Sequence, residues 1–148
     1  MGLRQASITD IKQIQQVRNA VKENTLSDPS LVTDDDVMDY ITRRGRGWVH
    51  EVEGVITGFS IISIIDQNVW ALFVHPDFER RGIGRLLHDE MMNWYFANTD
   101  KLVWLSTGPG TRAEQFYREA GWQEKGTYGK GEIKFEMRKE DWESGKIS

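Results

Sequence analysis

WALFVHPDFERRGIGRLL, residues 70–87, decides the fold: a short apolar run meets a Pro-Asp turn, two arginines and a Gly-Ile-Gly, and a helical pattern follows. Trp70 to Val74 is too short for a buried helix, rich in β-formers and cut off by Pro76, so it reads as a core strand. Past the glycines the spacing changes, and Ile83, Leu86, Leu87, Met91 and Trp94 recur at helical intervals. The glycines therefore sit at a helix N-terminus, where unpaired backbone N–H groups and the helix dipole favour a phosphate.

Upstream, Leu3 to Ser7 reads as an opening strand, and Thr9 or Asp10 caps a helix with the apolar stripe Ile11, Ile14, Val17 and Val21. Glu23 to Pro29 is polar and ends in proline, a loop. A second helix runs from about Thr33 to Arg43. Asp34, Asp35 and Asp36 at its start complement the helix dipole, and consecutive helical residues point in different directions, which argues against a metal site there. Trp48 to Val52 is a strand, Glu53-Gly54 a hairpin signal, and Val55 to Ile65 the return strand. Gly58 within that strand marks a bulge or a close backbone approach. Asp66-Gln67-Asn68 then turns the chain into the strand ending at Val74 and completes a three-strand meander.

Downstream of the helix, Leu102 to Ser106 is another strand and Thr107-Gly108-Pro109-Gly110 a loop. The helix Thr111 to Ala120 carries Ala113, Phe116, Tyr117 and Ala120 at helical spacing and ends at Gly121. Trp122 to Lys125 and Ile133 to Arg138 are closing strands around a Gly-rich turn, and the chain from about Lys139 reads as a short exposed tail. Strands run consecutively in the middle and alternate with helices only afterwards, which gives one α/β (α+β) domain over residues 1–148 with a mixed sheet.

Composition narrows the function. With 148 residues, 39% hydrophobic and 28% charged, the chain fits one globular domain with a substantial core. No apolar run approaches the ~20 residues of a membrane span, and the N-terminus carries no basic-then-apolar leader, so a cytoplasmic protein with no membrane partner is expected. Zero cysteines exclude disulfides, cysteine nucleophiles and thiolate metal sites. Sulfur chemistry needs a ligand that brings the sulfur. A net charge of -4 argues against a general nucleic-acid binder, and the arginines cluster only locally, at Arg43, Arg44, Arg46 and again at Arg80, Arg81, Arg85. No metal site is expected.

The Gly-Ile-Gly fits neither common phosphate loop. A dinucleotide fingerprint needs a third glycine at Leu87, and Gly129-Lys130-Gly131 lacks the Ser or Thr of a nucleoside-triphosphate loop and precedes a strand. Two readings remain from the residues alone: a turn that holds a pyrophosphate by backbone amides and arginines, or glycines that only permit a tight turn beside solvated arginines.

Val74-His75-Pro76-Asp77 followed by Arg80-Arg81-Gly82-Ile83-Gly84-Arg85-Leu86-Leu87 resembles the acetyl-CoA signature of the GNAT superfamily of N-acetyltransferases. Ala113-Glu114-Gln115-Phe116-Tyr117-Arg118-Glu119-Ala120-Gly121-Trp122 is similar to that family's late helix, and the order of elements fits from Leu3 to Arg138. Two positions depart from the pattern. Glu79 stands where the family usually has Gln or Arg, and Gly110 where many members have Asn.

The resemblance implies a GNAT-like, mainly antiparallel central sheet of six or seven strands flanked by about four helices, with acetyl-CoA as co-substrate. Its pyrophosphate would lie on Arg80, Arg81, Gly82, Ile83, Gly84, Arg85 and Leu86, and its pantetheine arm along Leu72, Phe73 and Val74, pairing as an extra strand does. The strands of Val74 and Leu105 would splay to admit the arm, with the thioester facing Ser106, Thr107 and Tyr117. The Val74 N–H would polarise the carbonyl. Tyr117 would meet the departing thiolate as the catalytic residue. A phenol near ~10 protonating a thiol near ~8.5 is uphill by roughly 2 kcal/mol, so hydrogen bonding to the thiolate competes with full transfer. Glu23, Glu51, Asp66 and His75 are the candidate bases.

The resemblance also builds the acceptor site from the first helix, the next loop and the late strands, here Arg18, Glu23, Asn24, Trp48 and the turn near Tyr128, with Ser106 and Thr107 alongside. The acceptor is then a primary amine of a small molecule or peptide, attacked directly. A non-catalytic acyl-CoA-binding or sensing module on the same fold is the alternative. Six tryptophans and family habit are compatible with a homodimer.

Overall fold

The computed structural model describes residues 2–21 and 32–147. Seven strands form one sheet in the order β1-β2-β3-β4-β5-β7-β6. They are β1 (Gly2–Gln5), β2 (Gly45–Val52), β3 (Val55–Ser63), β4 (Asn68–Val74), β5 (Val103–Thr107), β6 (Gln123–Tyr128) and β7 (Glu132–Met137). The described helices are α1 (Ile11–Ala20), α2 (Asp34–Asp39), α3 (Ile83–Asn98), α4 (Arg112–Glu119) and α5 (Lys139–Ile147). Neighbouring strands are antiparallel except β4 and β5, which the crossover through α3 makes parallel. The mixed, mainly antiparallel sheet expected from the sequence is the observed one.

Helices cover both faces of the sheet. Ile11, Ile14 and Val17 of α1 pack with Phe59 and Ile61 of β3 on one face. On the other face Leu87, Met91, Met92 and Tyr95 of α3 pack with Ile62, Leu105 and Phe135. Adjacent Ile61 and Ile62 thus enter opposite cores, as the period of two in a strand requires. A strand covered on both sides reads as a continuous apolar run, and β3 is buried from Ile56 to Ser63.

Gly58 shows both features expected of it. The β2–β3 register slips beside it, from His50 opposite Gly58 to Glu51 opposite Ile56, which leaves Thr57 as the extra residue. A Cβ at Gly58 would also lie 2.9 Å from the Phe73 carbonyl oxygen and 3.1 Å from Leu87 Cδ1, so β4 and α3 approach where only glycine fits. Of the aspartates of α2, Asp36 closes a capping box: Thr33 Oγ1 accepts from the Asp36 N–H at 3.1 Å, and Asp36 Oδ2 accepts from the Thr33 N–H at 2.9 Å.

The segment from Lys139 is not an exposed tail. It forms α5, and Trp142 is 7% exposed against the core of α3. Its indole N–H donates to Asn93 Oδ1 at 3.2 Å, and its ring stands edge-on to His88 at 5.5 Å. One large aromatic anchors an otherwise charged helix, which is why no apolar periodicity announced it.

His88 lies at the centre of this packing, fully buried among the rings of Phe116, Tyr117, Trp122 and Trp142. The Trp122 indole N–H donates to His88 Nε2 at 3.0 Å, so the ring proton is on Nδ1 and donates to Asp89 Oδ1 at 2.9 Å. Burial lowers the imidazole below its ordinary 6.5, opposed by Asp89 and reinforced by Arg85. The unfolded chain therefore takes up a proton here as pH falls through that value while the folded chain does not. This contribution to stability is complete above pH 6.5 and is lost below it.

Two outcomes are expected. Thermal melts between pH 7.5 and 5.5, a window of roughly one unit on either side of the free histidine value, should show a shallower fall in His88→Leu than in the wild type. Urea denaturation of Trp142→Ala should show a loss of about 3 kcal/mol, the usual cost of deleting a buried indole.

Candidate active site

The two parallel strands meet at one point. Among the described residues β4 and β5 pair only at Asn68 and Trp104, with the Trp104 N–H donating to the Gln67 carbonyl at 2.9 Å. Beyond it each strand follows its other neighbour, β4 along β3 and β5 along β7. They part towards Val74 and Thr107 and leave a slot through the sheet. A cavity of about 340 Å³ fills its α3–α4 side, lined by Leu72, Phe73, Val74, the start of α3 and the inner face of α4. A second cavity, of about 220 Å³, holds Arg18, Trp70, Ser106, Thr107 and Glu132. Leu72, Phe73, Ala113 and Tyr117 border both.

Backbone direction gives the slot wall its chemistry. The His75 N–H donates to the Thr57 carbonyl at 2.7 Å, and the Phe73 carbonyl points at Gly58, so both groups face β3. Peptide groups alternate sides along a strand, which turns the N–H and C=O of Val74 towards the slot. An extended ligand with amides can pair with that edge as a strand does.

At the mouth of the larger cavity, α3 begins at Gly82, whose φ of 79° is left-handed and natural to glycine. With glycine as the cap, no side chain satisfies the first-turn N–H groups, and the sixteen-residue helix presents them with its dipole to an anion. Arg80, at φ 62°, holds a conformation rare outside glycine, so the turn is strained where it leads into α3. Arg80, Gly82, Ile83, Gly84 and Arg85 line the cavity. Arg81 instead stacks over the Phe78 ring at 5.3 Å, and Leu86 is exposed outside the lining.

Glu79 forms an ion pair with Arg112 across the mouth of this cavity. Arg112 is a residue the motif reading passed over. It occupies the first position of α4 behind the cap Thr111, where the helix dipole disfavours a cation. A carboxylate across the slot answers that cost, and the negative charge of Glu79 is thereby matched from a distant part of the chain. Gly110, at φ 76°, donates its N–H to Glu114 Oε1 at 2.7 Å, so its place in the loop is conformational.

Tyr117 stands on α4 where the cavities meet, 6% exposed, with its ring packed on Phe116, Trp122 and Phe135. Burial pushes its hydroxyl well above the ordinary 10, so it stays protonated at any physiological pH. It can donate a hydrogen bond or a proton to an anion formed in the slot, and it cannot serve as a base.

The remaining expected residues separate. Ser106 and Thr107 line the smaller cavity, and Ser106 Oγ donates to Glu132 Oε1 at 3.1 Å. Arg18 is there as well, its guanidinium 5.0 to 5.7 Å from the rings of Trp70, Phe73 and Phe59. Trp48 is not at the slot: it is 4% exposed in the α3-side core, edge-on to Trp94 at 5.7 Å. Tyr128 packs on Trp104 at 5.0 Å on the β6 side. Of the proposed bases, Glu51 is bonded to Arg4 at the β1 edge and Asp66 to Arg44. His75 Nδ1 accepts from the Asp77 N–H at 3.1 Å and closes a turn. Glu23 and Asn24 lie outside the described residues.

Comparison with known proteins gives the family and the fold. The acetyltransferase (GNAT) family matches residues 11–122, and the chain belongs to it. No curated protein matches the sequence. Among solved structures, the PaiA N-acetyltransferase of Thermoplasma acidophilum in complex with coenzyme A superposes with a TM-score of 0.79 at 16% identity, over 92% of this chain and 97% of that one. The ribosomal-protein-alanine N-acetyltransferase of Brucella melitensis gives 0.76 at 19% identity, over 93% and 99%. The yncA protein of Salmonella typhimurium, solved with its cofactor acetyl-CoA, gives 0.76 at 17%, over 93% and 93%. At such identities the likeness is one of fold. Among the described residues no helix is long and apolar enough to cross a membrane.

The Glu79–Arg112 pair yields a test. In Glu79→Gln the negative charge beside the first turn of α3 is gone and Arg112 loses that carboxylate. Calorimetry at low salt should show coenzyme A binding about fivefold tighter than to the wild type, with the gain shrinking as salt screens it. Weaker binding in the variant would mean that Glu79 supports the turn.

Proposed function

We propose that this protein is an acetyl-CoA-dependent N-acetyltransferase that moves an acetyl group to a primary amine of a small molecule or peptide by direct attack. The observation that carries this reading is the pair of cavities that share Leu72, Phe73, Ala113 and Tyr117 as a common wall. One cavity has the requirements of a nucleotide thioester: an anion turn at Gly82 and a strand edge at Val74. The other is smaller, carries Ser106, Thr107 and Glu132 among apolar side chains, and suits an amine.

On this reading the pyrophosphate rests on the first turn of α3 beside Arg80 and Arg85, and the arm runs along Leu72 to Val74. The acyl carbon then lies at the junction. The Val74 N–H polarises its carbonyl, and the Tyr117 hydroxyl donates to the sulfur as the C–S bond breaks. Both donors are fixed before reaction, one by the sheet and one by burial. Because the Tyr117 hydroxyl is harder to ionise than a free phenol, hydrogen bonding to the thiolate takes a larger share of its role than early proton transfer.

Thermal stabilisation by acetyl-CoA, together with free-thiol release across a panel of amines, tests the reading. Stabilisation with no release for any amine would favour the non-catalytic binding module. Tyr117→Phe should lower kcat about 100-fold while acetyl-CoA affinity stays within about twofold, the pattern of an interaction made in the transition state. Unchanged turnover would remove Tyr117 from the mechanism.

A further inference from the structure

Glu132 has no place in the motifs, yet it brings a carboxylate to the amine side of the slot. It opens β7, whose Phe135 and Met137 enter the α3-side core. Alternation along the strand puts Glu132, Lys134 and Glu136 on the opposite face. Ser106 pairs with Lys134 across β5 and β7 and so shares that face. From there the Ser106 hydroxyl reaches Glu132 Oε1 and fixes the carboxylate, while Oε2 and a lone pair of Oε1 can still accept. Glu132, Ser106 and Tyr117 line one cavity, and the acid at the junction cannot act as a base.

We infer that Glu132 is the residue that receives the acceptor as a primary ammonium and takes its first proton. This rests on the acetyltransferase reading above and assigns the amine side of that site. An ammonium carries two protons that must leave before the amide is formed. The first passes to the Glu132 carboxylate and on to solvent, which frees the nitrogen lone pair. Nitrogen then attacks the thioester carbon, the C–N bond forms, and the C–S electron pair returns to sulfur as the intermediate collapses. The second proton leaves nitrogen in that collapse and passes to the thiolate, which the Tyr117 hydroxyl holds by a hydrogen bond, so that coenzyme A departs as the thiol. Atoms and charge balance with no further reactant.

The two carboxylates of β7 that share this face differ in their partners. Glu136 is within 3.7 Å of Lys134 Nζ, and Lys134 lies over the Trp104 ring, so that pair is a surface contact. Glu132 is the one bonded to a residue of the slot. Among the described residues, the other charged or titratable groups that line its cavity or pair with it across the sheet are Arg18 of α1, Tyr117 of α4 and Tyr128 on β6.

The experiment compares the full chain with Glu132→Gln and Glu132→Asp. It reads thiol release from acetyl-CoA with three probes: a short peptide with a free N-terminal alanine, lysine amide and spermidine. For the probe that wild type turns over, Glu132→Gln should lose about 100-fold in kcat/KM at neutral pH. The loss should shrink as pH rises, because the amine then arrives already deprotonated. Glu132→Asp should recover part of the rate and the wild-type pH dependence. Acetyl-CoA should raise the melting temperature of all three proteins equally, which separates a lost base from a damaged fold. Turnover by Glu132→Gln within about threefold of wild type, with an unaltered pH profile, overturns the assignment alone. Thermal stabilisation by acetyl-CoA with no thiol release from wild type for any probe overturns the acetyltransferase reading, and this assignment with it.

Discussion

One strand pairing that stops early governs the site. Parallel neighbours in a sheet normally hydrogen-bond along their length, and here β4 and β5 meet only at Asn68 and Trp104 among the described residues. The peptide groups past that point are left on the walls of a slot. Such groups are costly when they are buried without partners, so a separation of this kind persists only where water or a ligand completes them. The rest of the architecture holds the strands apart. β3 grips the outer edge of β4, β7 grips that of β5, and α3 and α4 approach the gap from one face.

Electrostatics is divided between the two sides. The α3 side offers backbone N–H groups, a helix dipole and arginines, with Glu79 and Arg112 neutralising one another across the opening. Beyond the shared wall, Glu132 and Arg18 bring one carboxylate and one guanidinium to a smaller space. Between them stands a hydroxyl that burial keeps protonated. The two sides thus differ in charge before any ligand is bound.

Much of this arrangement was legible in the sequence because it is local. The helical spacing from Ile83 to Trp94, the glycine at position 82 and the Tyr117 helix ending at Gly121 each announce themselves within a few residues, and α3 and α4 lie where that spacing puts them. What stayed hidden depends on contacts between distant segments. Glu79 and Arg112 are 33 positions apart, and Ser106 and Glu132 are 26. Trp48 misled for a related reason: Trp48 and its neighbour Val49 are both buried, on opposite faces of a covered strand, so alternation does not tell a core tryptophan from one at a site. The helix of Trp142 buries one aromatic and shows no period at all. Only the pocket around His88 reveals why that tryptophan is there.

The gauge of the slot is set from behind. Gly58 belongs to β3, a strand that lines neither cavity, and its missing side chain lets the carbonyl of Phe73 settle 2.9 Å from where a Cβ would stand. Phe73 in turn borders both cavities. A single methyl group added at position 58 would push β4 into the opening from its far side and narrow the passage without altering any residue that lines it. The shape of this site is therefore inherited through an empty space one strand away, a form of dependence that comparing the lining residues of related proteins would miss.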